Sequence, residues 1–129
     1  MLGLWAESAQ TYLVIAGAVG GVAFAIPLFL MPLTWARAFR WNLPEDTDLA
    51  LYFGRCLGAL AVVVVALYLR AGLTGENLEV AFQVLILSAT LMVLIHIVGA
   101  FQRVQPLTET IEIGFWLTMA VLGVLFYPA

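Results

Sequence analysis

Four long apolar stretches, at residues 12–31, 49–69, 78–101 and 111–127, fill most of this 129-residue chain and leave it few architectures. Each is close to the roughly 20 residues an α-helix needs to cross a bilayer. In hydrocarbon a spanning segment must satisfy its own backbone, which single helices do and single strands do not. Hydrophobic residues make up 64% of the sequence, more than a soluble fold could hide without a large exposed apolar patch. The expectation is all-α: a four-transmembrane-helix up-down bundle forming one integral membrane domain over residues 1–129. The longest polar stretch, 33–48, is too short for a folded domain. Chemistry must therefore sit within the helices or at their mouths, which excludes most enzyme classes.

Charge is sparse. The five basic residues are all arginines (Arg37, Arg40, Arg55, Arg70 and Arg103), and the net charge is −3. That balance offers no polybasic surface, so no nucleic-acid partner is expected. The single cysteine, Cys56, forms no intrachain disulfide or dithiol pair and is expected to sit buried as a small hydrophobe. Residues 1–10 carry Glu7 and no Lys or Arg, and the apolar run behind them is too long for a signal peptide, so the first helix is expected to be retained.

Small residues mark close-packing seams. Gly17 and Gly21 form one on the first helix, and Gly54 and Gly58 form another on the second. Pro27 removes a backbone donor and frees the Ala23 carbonyl, so a kink is expected there. Between helices one and two, Trp35, Phe39 and Leu43 share one face opposite Arg37, Arg40 and Trp41, the pattern of a short interfacial helix. Pro44, Glu45 and Asp46 are expected to open the second helix, with carboxylates at the positive end of its dipole. A cation site at Glu45, Asp46 and Asp48 is the less common reading of such a helix start. The short turn ending at Gly75 makes helices two and three antiparallel neighbours. Arginine placement puts the loops holding Arg37, Arg40 and Arg103 in the cytoplasm and both termini outside. Tyr12, Tyr68 and Tyr127 would then form the outer aromatic belt, with Trp35, Trp41 and Tyr52 the inner one.

An up-down path brings the ionisable residues of the spans toward one leaflet. Arg55 lies near the start of helix two, His96 near the end of helix three, and Glu112 near the start of helix four. Intramembrane ionisable residues are site candidates by default. His96, Gly99 and Arg103 share one stripe of their helix, and Glu109 and Glu112 share one face of theirs. Turned inward, Arg55, His96, Arg103, Glu109 and Glu112 would form a polar nest, with Arg55 and Glu112 as its strongest pair. A purely structural staple and a ligand site are both open readings of that nest; as a ligand site it could hold a lipid head group, a quinone carbonyl or a proton. One histidine supplies no haem pair, and no His/Cys cluster has metal spacing, so neither a metal nor a catalytic residue is expected.

The run Leu43-Pro-Glu-Asp-Thr-Asp-Leu-Ala-Leu-Tyr-Phe-Gly-Arg-Cys-Leu-Gly58, following a glycine-rich first helix that ends in Pro32, resembles the DoxX-like and allied uncharacterised families of small bacterial four-helix membrane proteins. The resemblance implies a four-helix bundle and, in some members, association with membrane redox or quinone chemistry. The paired cysteines of redox-active relatives are missing here, so a thiol mechanism is not implied. The leading expectation is a non-enzymatic accessory or scaffold subunit, or a self-associating bundle, in the bacterial inner membrane. Its partners would be the lipid bilayer and other membrane subunits or copies of itself. No cofactor is required by this reading. The alternatives are a quinone- or lipid-binding redox protein using the nest, and a small transporter.

Overall fold

The computed structural model describes residues 2–128, which form helices joined by short turns, without a strand among the described residues. We number them α1 (Ala6–Leu30), α2 (Pro32–Ala38), α3 (Asp48–Thr74), α4 (Leu78–Gln102) and α5 (Leu107–Leu125). All but α2 are long and apolar enough to cross a membrane, and the chain is a multi-pass membrane protein. Their outward faces carry large apolar side chains, among them Leu60, Val63, Leu87 and Ile95, each more than half exposed. Such surfaces suit lipid, which is as apolar as the interior they surround.

Proline and glycine shape α1. The helix opens with a 3-10 turn (Ala6–Ser8) and widens into a π-helical segment, Gly21–Ala25, that ends two residues before Pro27. A π-bulge is one of the few ways a helix absorbs an interruption in its hydrogen-bond ladder. The Ala23 carbonyl, which Pro27 cannot serve, accepts instead from the Trp35 indole Nε1 at 3.0 Å. The expected kink thus takes the form of a widened turn with a side-chain substitute for the lost donor.

Helix α2 is shorter than its amphipathic pattern suggested. Arg40 adopts a left-handed conformation (φ 65°), and the backbone N–H groups of Trp41 and Arg40 close back on the Ala36 and Arg37 carbonyls. That pairing is a Schellman cap with arginine where glycine is usual. Arg103 (φ 57°) does the same at the end of α4, where the Val104 and Arg103 N–H groups reach Gly99 and Ala100.

The spanning helices pack as two pairs, α1 with α3 and α4 with α5. Helices α3 and α4 follow each other through a three-residue turn yet touch less than either touches its partner. The glycine seams explain the first pair. A Cβ on Gly58 would run into the Phe29 backbone, one on Gly54 into Pro32, and one on Gly17 into Leu69. Gly21 faces Val65 across the same contact.

At one end the start of α1 meets the end of α5, with Gly3 N–H donating to the Val124 carbonyl at 3.0 Å. The main core sits there: Leu13, Tyr68, Ala81, Phe82 and Leu85 are all buried. Tyr68 is buried in this core, and Tyr12, partly buried, packs against it and stacks on Phe126 with ring centroids 4.6 Å apart. Several boundaries differ from expectation. Helix α3 starts at Asp48, leaving Pro44, Glu45 and Asp46 in the connector, and it continues to Thr74 because nothing breaks it before Gly75 (φ 76°). Helix α5 starts at Leu107, directly behind Pro106. Cys56 is exposed on the outer face of α3 rather than buried.

Candidate functional site

The opposite end is polar inside. Helix α4 carries His96 about 9 Å short of its C-terminus, and the Arg103 cap turns the chain so that α5 brings Glu109 and Glu112 back beside it. His96 and Glu109 are buried, with only 3% and 8% of their surface exposed. The His96 Nε2 lies 3.0 Å from Glu109 Oε2 and 3.7 Å from Glu112 Oε2.

The ring orientation is settled by its other nitrogen. Nδ1 stands 2.6 Å from the Met92 carbonyl oxygen, which only accepts, so Nδ1 carries a hydrogen and donates it. Nε2 is therefore the atom turned to the two carboxylates. Each carboxylate has an indole donor of its own. Trp41 Nε1 donates to Glu109 Oε1 at 2.9 Å, and Trp116 Nε1 donates to Glu112 Oε2 at 3.2 Å. The remaining oxygen, Glu112 Oε1, is buried without a hydrogen-bond partner. Among the described residues no arginine forms an ion pair with either carboxylate. Two carboxylates facing one imidazole in an apolar surround need compensating positive charge, from protons or from a cation.

A second layer holds the cluster in place. Gln105 Nε2 donates to the His96 carbonyl at 3.0 Å and to Thr110 Oγ1 at 3.1 Å. Thr108 Oγ1 donates to the Phe39 carbonyl, tying α5 to the turn that presents Trp41. Phe24 of α1 stands about 6 Å from Trp35, Phe39, Phe115 and Trp116, bracing the connector against α5. Beside the cluster runs an open-sided groove of about 480 Å³, lined by Trp41, Ile95, His96, Val98, Gln105 and Glu109 among others. Its rim is apolar and outward-facing, since Ile95 and Val98 are both more than half exposed.

Of the residues singled out in the sequence, His96, Glu109 and Glu112 come together. Arg55 and Arg103 do not: both are exposed, Arg55 on the outer face of α3 and Arg103 in the α4 cap. The proposed Arg55–Glu112 pair is absent, because Gly54 and Gly58, not Arg55, form the face of α3 that meets α1 and the start of α2. Its long side chain is suited to reach the interface from the lipid-facing side. Three contributors were missed. Trp116 was legible as the i+4 neighbour of Glu112, whereas Trp41 and Gln105 join only through tertiary contacts. The carboxylate–imidazole trio carries no local metal spacing because its members lie on two helices. Set against protein-family models, curated proteins and solved structures, the chain matches none.

Proposed function

We propose that this chain is a small ligand-binding protein of the bacterial inner membrane, which holds a neutral, hydroxyl-bearing amphiphile of the quinol class in the groove beside His96. The observation that carries this reading is the adjacency of a buried His96–Glu109 pair, 3.0 Å apart, to a groove whose apolar rim opens sideways. An apolar tail would lie along Ile95 and Val98 while the head meets the polar floor, the combination that marks small-molecule sites. While they hold no cation, the two carboxylates disfavour an anionic head group such as a phospholipid phosphate. They favour a head that donates hydrogen bonds. The scaffold alternative loses its main support, because the glycine seams that would have offered contact surfaces are filled within the chain by Leu69, Val65, Pro32 and Phe29. The resemblance to DoxX-like families rests on residues 43–58 and the glycine-rich first helix ending in Pro32, outside the cluster, and lends the site nothing. With Arg37, Arg40 and Arg103 exposed at the site's end, the positive-inside rule places the groove in the cytoplasmic leaflet and both termini outside.

Calorimetric titration in mild detergent tests this directly, using a short-chain quinol kept reduced and a short-chain diacylglycerol in parallel. Saturable one-to-one binding of the quinol is expected, weakened at least about 10-fold by Val98→Trp, which fills the groove from its exposed rim. Preference for the diacylglycerol would reassign the occupant to lipid. Binding of neither, or binding indifferent to Val98→Trp, would overturn the proposal.

A further inference from the structure

We propose that His96, Glu109 and Glu112 form a binding site for one first-row divalent cation, such as Zn²⁺, Mn²⁺ or Co²⁺. Their three ligand atoms lie within 4.8 Å of one another. Ligands about 2.0–2.2 Å from such a cation stand about 2.8–3.6 Å apart in tetrahedral or octahedral arrangements. The separations from His96 Nε2, 3.0 Å to Glu109 and 3.7 Å to Glu112, are already close to that spacing. Charge agrees with geometry: two carboxylates and a neutral imidazole sum to −2, which one dication cancels in a place where none of the described arginines forms a pair. The buried, unpartnered Glu112 Oε1 is a free ligand atom beside the same centre.

The surrounding contacts are those a metal site needs. A ligating imidazole generally donates its other ring N–H to a carbonyl or carboxylate, and ligating carboxylates are hydrogen-bonded in turn. Here Nδ1–H goes to the Met92 carbonyl, Glu109 receives Trp41, and Glu112 receives Trp116. Each ligand thus has its own orienting partner on a different part of the chain. One nitrogen and two carboxylate oxygens suit a borderline first-row dication better than a soft ion. Three protein ligands also leave a coordination position open, as in sites that admit an exogenous molecule. The cation does not depend on an occupant in the groove, so it stands or falls separately from the amphiphile.

The test uses the purified full chain, stripped with chelator and titrated with Co²⁺ by visible absorption and with Zn²⁺ by calorimetry. One equivalent should bind, with cobalt d–d bands appearing in step. Glu112→Gln should weaken binding at least about 10-fold, the loss expected even for an outer-shell partner. Arg55→Ala and Val98→Trp should leave it unchanged. If Val98→Trp abolishes amphiphile binding while cobalt still binds, the two proposals are resolved as independent. A folded wild type that takes up no saturating cobalt or zinc would overturn the metal site. So would binding that survives both Glu112→Gln and His96→Gln, since it would then lie elsewhere, as at Glu45, Asp46 and Asp48.

Discussion

At the scale of single residues, the environment of each ionisable group decides its role more than its presence in a span. His96 faces the buried Glu109 and the partly buried Glu112 carboxylates, whereas Arg55 faces outward without an ion-pair partner among the described residues. His96→Ala should therefore destabilise the protein by about 3–5 kcal/mol, the range for stranding buried partners. Arg55→Ala should stay within about 0.5 kcal/mol, as expected for an outward-facing side chain. Unfolding of both variants in mixed micelles checks this, and equal losses would show that the cluster is not a stabilising unit. The sequence made His96, Glu109 and Glu112 legible because polar groups in apolar helices stand out. It could not say which way Arg55 points, since a long guanidinium stem lets arginine avoid burial. Nor could it show that Trp41 belongs to the cluster, because that hydrogen bond joins residues far apart in the chain.

At the scale of helices, hydropathy located the spans but not their ends or partners. The turns at Ala6–Ser8 and near Thr74 extend beyond the apolar stretches, so only breakers such as Gly75 and Pro106 marked the limits. The glycine seams announced close approach, and the structure places it between α1 and α3. Gly58→Leu should be severe, because its side chain would meet the Phe29 backbone, which cannot move aside as a side chain can. A Cβ at Gly114 would meet nothing within 4 Å, so Gly114→Ala should be neutral or stabilising by up to about 1 kcal/mol through helix propensity. Thermal unfolding followed by circular dichroism separates the two. Comparable destabilisation by both would contradict the assigned seam.

For the whole molecule, the division of labour is between ends. The core of Leu13, Tyr68, Phe82 and Leu85 holds the end where Gly3 meets Val124, while the opposite end keeps its polar cluster, its aromatic brace and its groove. In the proposed topology that second end, with Arg37, Arg40 and Arg103 exposed, faces the cytoplasm. In a Cys56→Ser background, a cysteine replacing the exposed Val104 should resist membrane-impermeant thiol reagents added to intact cells, and one replacing the exposed Glu7 should react. The reverse pattern would invert the topology. Occupancy of the groove is decided most directly by native mass spectrometry of the protein released from mild detergent. The wild type should carry one additional mass, identified on dissociation as a neutral hydroxyl-bearing amphiphile, and Val98→Trp should fly without it. A bare wild type, or an adduct retained equally by Val98→Trp, would contradict a ligand held beside His96.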